Sequence, residues 1–291
     1  MSVGKLYLGC PVWAHEPWRG KFFTRDARRE EFLPQYAGVF DASEGNSTFY
    51  GLPAPATIAR WAAEAPATFR FCLKFPRAIT HDLQLVGAAA ATREFLNRVA
   101  PLAAKLGPFF LQLHQSFGRG RLAELEAYLR TLPREHAYAV EVRSPDFFDG
   151  GAGERALDEL LGELRMERVV FDTRGLFASA ATDPATLDAK RKKPRVPVRY
   201  TAIGARPFVR FVGDPDVARN DASLAGWAAV VARGVGEGRT PYFFTHHPDD
   251  AWAPELARAF QRRVHALQPA VPAPAAWPAE RESHPAQMTL L

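Results

Sequence analysis

Asp41-Ala-Ser-Glu-Gly-Asn-Ser-Thr-Phe-Tyr-Gly-Leu-Pro53 is the stretch from which this chain is best read. Val39 to Ser43 reads as a short buried strand, and the polar, glycine-containing run after it reads as a loop at that strand's C-terminal end. Glu44 falls where the apolar run stops. An ionised carboxylate beside a buried strand is costly unless it is paired or used, so Glu44 is either a cap or a working group.

Seven further stretches repeat the scheme of an apolar strand ending in polar residues: 6–9, 69–74, 109–113, 137–142, 168–172, 208–212 and 242–245. Amphipathic runs lie between them. Ile58, Trp61, Ala62 and Ala65 recur at helical spacing, as do Phe95, Val99, Leu102 and Leu106, then Leu122, Leu125, Leu129 and Leu132, then Leu157, Leu160, Leu161 and Leu164. Residues 25–36, 224–233 and 254–267 read as further helices. Eight strand–helix alternations within residues 1–267 have the count and length of a single (β/α)8 TIM barrel. An open doubly wound sheet is the alternative, but no glycine-rich phosphate turn follows the first strand. The rhythm breaks between Thr182 and Pro207, which hold four prolines and, from Lys190 to Arg206, seven basic residues and no acid. That segment is expected to be a long basic loop. Residues 268–291, rich in Pro and Ala, are expected to be a disordered tail.

Composition sets the frame. A chain that is 47% hydrophobic and 24% charged is an ordinary globular one. Its net charge of +5 favours acidic partners, although a surface rich in arginine explains so small an excess equally well. Cys10 and Cys72 sit in or beside apolar strands and read as small buried hydrophobes, which points to a reducing cytoplasm. Neither a signal peptide nor a membrane span is expected.

Strand residues two apart share a face, and active sites of barrels lie at the C-terminal mouth. Glu44, Glu141, Asp172 and His246 are therefore the candidate catalytic groups, with Lys74, Arg77, Gln112, Arg143, Arg210, Asn46, Tyr50 and Trp13 as candidate substrate-binding groups. Each alone has a structural explanation as a cap, an ion pair or a satisfied core imidazole. Polar ends on nearly every strand exceed what closing a barrel needs. Acids mixed with cations suit an anionic substrate: the cations hold a phosphate or carboxylate while a carboxylate or His246 moves a proton. His114, Glu141, Asp172 and His246 could supply donors for one divalent metal ion, a reading that no metal-binding motif supports. No nucleophile elbow of a serine hydrolase is present. Trp13, Trp18, Phe49, Tyr50, Phe75, Phe117 and Phe147 crowd the loops at the mouth, where they either stack on bases and sugars or pack over the core.

Several motifs together resemble the domain-of-unknown-function family 72, the YecE-like proteins. They are Gly9-Cys-Pro-Val-Trp13, Trp18-Arg-Gly-Lys-Phe-Phe23, Glu44-Gly-Asn-Ser-Thr-Phe-Tyr50, Phe71-Cys-Leu-Lys-Phe-Pro-Arg77, Phe110-Leu-Gln-Leu113, Ala139-Val-Glu-Val-Arg143, Val170-Phe-Asp172 and Phe208-Val-Arg-Phe211. The resemblance runs from about Leu6 to Leu267 and implies a TIM barrel of unestablished activity. Gly45 stands where the family pattern carries an apolar residue. The terminal Gln287-Met-Thr-Leu-Leu291 looks like the peptide with which bacterial replication and repair proteins bind the sliding clamp, with Gln287, Leu290 and Leu291 as its anchors. These features lead to the expectation of an enzyme, a hydrolase or other phosphodiester-processing protein, acting on a phosphate-bearing substrate, nucleic acid included. A metal-free metabolic enzyme on a phosphorylated sugar is the first alternative. A non-catalytic nucleic-acid or clamp adaptor is the second.

Overall fold

The structure, a computed structural model, describes residues 3–200 and 202–283. In chain order the first half runs β1 Tyr7–Cys10, α1 Phe32–Ala37, β2 Ala42–Gly45, α2 Pro55–Glu64, β3 Arg70–Leu73, α3 Ala89–Val99, β4 Phe109–Gln112 and α4 Leu122–Thr131. The second half runs β5 Tyr138–Glu141, α5 Ala152–Glu163, β6 Glu167–Asp172, α6 Arg174–Ala178, α7 Pro184–Lys192, β7 Phe208–Val212, α8 Asp221–Gly236, β8 Tyr242–His246, α9 Ala253–Leu267 and α10 Pro278–Ser283.

All eight strands are parallel, in the order β3-β2-β1-β8-β7-β6-β5-β4. The ends of that row meet: Phe71 pairs with Leu106 and Lys74 with Phe110, and the Phe75 amide donates to the Phe110 carbonyl at 3.0 Å. The expected TIM barrel is the observed architecture. Its alternating strands divide the apolar residues into two cores. Tyr7, Ala42, Cys72, Phe110, Ala139, Val169, Phe208, Tyr242 and Phe244 fill the interior, while the opposite faces pack on the helices. Each fully buried Phe contributes about 1.5–3 kcal/mol, so the interior alone holds the strands at a fixed radius. Both cysteines are buried and outside any disulfide.

Gly45 explains itself against Leu73. A Cβ at that position would stand 2.3 Å from Leu73 Cδ2, so an apolar residue there needs a smaller or displaced neighbour on β3. Glu44 lies inside β2, not beyond it, because the strand extends to Gly45 and starts at Ala42.

Three expectations change. The helix anticipated over 25–36 is confined to α1, since Pro34 belongs to its first turn and Glu31 accepts the Arg28 amide to start a short 3-10 turn ahead of it. The basic stretch is not loop throughout: α7 forms because Asp183 caps the Thr186 amide at 2.9 Å and Pro184 occupies the first turn, where its missing N–H costs nothing. Finally, 268–283 is packed, not a disordered tail. Trp277 is buried against Phe22, the Arg258 guanidinium lies 3.6 Å over its ring, and the Ala279 amide donates to the Phe22 carbonyl. The folded body thus extends past Leu267 by one more helix. Gln287, Leu290 and Leu291 of the clamp-like peptide lie outside the described residues.

Candidate active site at the barrel mouth

Inward-facing positions at the C-terminal strand ends are set by the register. Val169 stands opposite Phe208, and Phe208 opposite Tyr242, all three interior, so the next inward positions are Phe171, Arg210 and Phe244, and then His246 beside Val212. By the same alternation Glu44 follows Ala42, Lys74 follows Cys72, Gln112 follows Phe110, and Glu141 and Arg143 follow Ala139.

These side chains meet. Arg210 donates from Nε to Glu44 Oε1 at 2.7 Å, from a terminal nitrogen to Glu44 Oε2 at 2.9 Å, and from the other to Glu141 Oε2 at 2.5 Å. Arg143 Nε donates to Glu141 Oε1 at 2.7 Å, which completes that carboxylate. His246 Nε2 lies 3.1 Å from Glu44 Oε1, and Asn46 donates to Glu44 Oε2 at 3.1 Å and to the Pro11 carbonyl. Gln112 Oε1 accepts twice, from Lys74 Nζ at 2.8 Å and from Arg143 at 2.8 Å. Lys74 Nζ also lies 3.7 Å over the Phe49 ring. Phe171 forms the floor, with the Arg210 and Arg143 guanidinium carbons 5.0 and 5.5 Å from its centroid.

Electrostatics follow from burial and pairing. Burial opposes ionisation of Glu44, yet Arg210 and His246 outweigh it and hold the carboxyl far below the usual range. Glu141 is likewise disfavoured by burial and brought to about 2 by Arg143, Arg210 and Lys74. Arg210 loses hydration but gains two carboxylates, which keep it charged. Lys74 differs from all three. Burial, with Arg210 next, lowers its ammonium to about 7, and both nearby carboxylates are already bonded to arginines. Beside it, His81 is lowered to about 4 by burial and by Lys74 and His114, and its ring meets Phe49 and His114 edge-on.

Some expected members are elsewhere. Asp172 is one residue out of phase with the ring and faces the helices, where it accepts from Trp227 Nε1 at 2.8 Å and from the Arg174 side chain. It ties α6 to α8 and does not join the ring of Glu44, Glu141 and Arg210. Trp13 packs edge-on against Trp61 and Phe71 in the outer core. Arg77 pairs with Asp82 at the surface, and Tyr50 is exposed against Phe49. The four suggested metal donors do not converge: Asp172 points away, His246 is on Glu44, and His114 bonds Ser116. Among the described residues there is no group of three or more His, Cys, Asp or Glu able to hold a metal ion. Of the mouth aromatics, Trp18, Phe75, Phe117 and Phe147 are buried core residues.

Other members went unforeseen. Phe171 could have been found by carrying alternation back from Val169. Lys193 and Asp250 could not, because their approach depends on loop paths. Arg143 donates to the Lys192 carbonyl at 3.1 Å, and Thr173 to the Pro194 carbonyl, so residues 192–194 strap across the mouth. Burial lowers Lys193 and raises Asp250, and each partly offsets the other. Asp250 sits in the left-handed region at φ 60°, an uncommon backbone for a residue other than glycine.

A barrel whose C-terminal mouth carries a closed network of acids and cations defines a TIM-barrel protein with one polar ring at its strand ends. The family described as "Protein of unknown function DUF72" matches residues 7–281, and the chain belongs to it. It is similar to the UPF0759 protein YecE of Escherichia coli K12, 38% identical over 92% of this chain and 97% of that one. The YecE protein of E. coli O157:H7 is 37% identical over the same shares. Among solved structures it resembles a DUF72 family protein from Thermotoga maritima, with TM-score 0.68, 21% identity, and 90% and 99% of the two chains covered. A DUF72 family protein from Enterococcus faecalis gives TM-score 0.66 at 18% identity, covering 89% and 95%. No helix among the described residues is long and apolar enough to cross a membrane.

Proposed function

We propose that the barrel mouth is the active site of an enzyme acting on a small anionic compound, phosphate- or carboxylate-bearing, by acid–base chemistry. One observation carries the reading: two cationic groups, Lys74 Nζ and Arg143, converge on the single neutral oxygen of Gln112 at 2.8 Å each. A neutral amide is a weak counterpart for two cations, whereas an anionic oxygen meeting the same donors gains charge-assisted bonds from both. Glu44 and Glu141, bridged by Arg210 with Arg143 on the second oxygen of Glu141, form the rigid base, with His246 on Glu44 as the proton-transfer group.

A small ligand is favoured over a nucleic acid. The strap at 192–194 crosses the mouth, and five of the seven cations of the basic stretch have partners of their own, Lys190 on the Ser179 carbonyl among them. Arg191 and Lys192 hold Asp188, Arg199 holds Glu154, and Arg195 lies on Phe177. A phosphate backbone needs a continuous row of available cations.

Calorimetry with inorganic phosphate and with small carboxylates tests this. Binding is expected in the wild type and is expected to weaken at least tenfold in Arg143→Gln, in line with the loss of a charged hydrogen bond. Tight, strongly salt-dependent binding of single-stranded or duplex DNA, with none of the small anions, would overturn it.

A further inference from the structure

Lysines buried for structural reasons are held by a carboxylate or by several carbonyls. Even half-buried Lys105 is held this way, donating to the carbonyls of Ala62 and Ala65. Lys74 is placed otherwise. It ends β3 pointing into the barrel, its head lies on the Phe49 ring, and its hydrogen-bond acceptor is the amide oxygen of Gln112. Glu141 has one oxygen on Arg143 and one on Arg210, while both oxygens of Glu44 are taken by Arg210. Both carboxylates near Lys74 are thus already bonded to guanidiniums. An amine crowded by cations in an apolar setting is the arrangement that makes a lysine nucleophilic.

We infer that Lys74 is a covalent nucleophile that forms a Schiff base with a carbonyl carbon of the substrate, while Arg143 holds the substrate's anionic end. The inference rests on the anion-binding reading above and narrows it to carbonyl compounds carrying a carboxylate or phosphate. The neutral amine of Lys74 adds its lone pair to the carbonyl carbon, and the π pair moves to oxygen, which takes up the proton released by nitrogen. The carbinolamine then expels that oxygen as water as the C=N bond forms. One amine and one carbonyl give one imine and one water, with no oxidant or reductant consumed. Once the imine nitrogen takes up a proton from solvent, the resulting iminium is an electron sink for cleaving or deprotonating the adjacent carbon. The lowered ammonium of Lys74 supplies the free amine near neutrality.

Borohydride trapping tests the inference on the full-length protein at neutral pH. Glyoxylate, pyruvate and glyceraldehyde 3-phosphate serve as probes of increasing reach. Reduction is expected to fix one adduct per chain on Lys74, found in a peptide running from Phe71 to Arg77 because trypsin no longer cuts after the modified lysine. Label on Lys74 should exceed that on exposed lysines such as Lys21 by about tenfold or more. It should vanish in Lys74→Arg, and excess inorganic phosphate should suppress it. Mapping of the wild type decides the matter even if the variant fails to fold. If none of the three probes labels Lys74 while phosphate still binds in an Arg143-dependent manner, the nucleophile is overturned and the anion site stands. If Lys74 is labelled but neither phosphate nor Arg143→Gln alters the yield, the nucleophile stands and the anion reading falls. Absence of both label and phosphate binding removes both.

Discussion

Arg210 grips Glu44 with two parallel hydrogen bonds, Nε to Oε1 at 2.7 Å and a terminal nitrogen to Oε2 at 2.9 Å, across the inside of the barrel. Both side chains are almost wholly buried, so each is tolerable only while the other is present. Arg210→Met leaves buried Glu44 with only His246 and Asn46 and one oxygen of Glu141 without its cation, and its expected cost is about 3–5 kcal/mol in urea unfolding. Replacing the acids together with the arginine, as in Arg210→Met/Glu44→Leu/Glu141→Leu, is expected to recover much of that loss. A triple variant less stable than the single one would show that the network stabilises the barrel beyond compensating its own charges.

Asp172 provides the contrasting case. Its oxygens are committed to Trp227 and Arg174 outside the barrel, so Asp172→Asn is expected to lower stability by about 1–2 kcal/mol, discounted for the exposed Arg174. Phosphate affinity measured by calorimetry should not change. A tenfold loss of affinity without a shift in melting temperature would return Asp172 to the site.

Much of this was legible from strand ends alone. Glu44, Lys74, Gln112, Glu141, Arg143, Arg210 and His246 share the inward parity, and alternation needs no knowledge of partners. Asp172 ends its strand like the others but stands out of phase with the ring, as the pairing of Val169 with interior Phe208 shows. Gly45 and the Asn46–Phe49 turn bring Phe49 beneath Lys74 through tertiary packing that spacing does not encode. The same holds for Lys193, carried in by α7, and for Trp277, whose Pro- and Ala-rich surroundings suggest disorder by composition while one indole anchors them.

Trp277 yields a direct check on that last point. Its ring is buried between Phe22 and Arg258, so Trp277→Ala is expected to cost about 3 kcal/mol, at the low end for a buried tryptophan because it lies at the edge of the core. Ending the chain at Leu267 removes this contact and the Arg258–Glu280 pair as well, and should lower the melting temperature by several degrees. A truncated protein that melts with the full chain would sink the assignment of 268–283 to the folded body.

Lys74 also makes stability depend on pH, in the same direction as the acids around it but in a higher window. In the unfolded chain its amine ionises near 10.5, whereas in the barrel it does so at about 7. Between those values the unfolded chain binds more protons, so the contribution of Lys74 to stability rises with pH and is complete near the unfolded value. Arg210, Arg143, His81 and His114 face the amine as cations or imidazoles, and Glu141 and Glu44 as acids; of these, Glu141 changes charge only toward about 2, well below this window. Buried Tyr36, Cys10 and Cys72, whose ionisation burial pushes upward, act the other way above about 8, so the total curve alone is ambiguous. Subtracting Lys74→Met cancels them. The difference between wild type and variant, from urea midpoints at intervals from pH 6 to 10, is expected to swing toward the wild type by on the order of a few kcal/mol as pH rises. A flat difference would place the ammonium at its ordinary value and remove the electrostatic basis for a reactive Lys74.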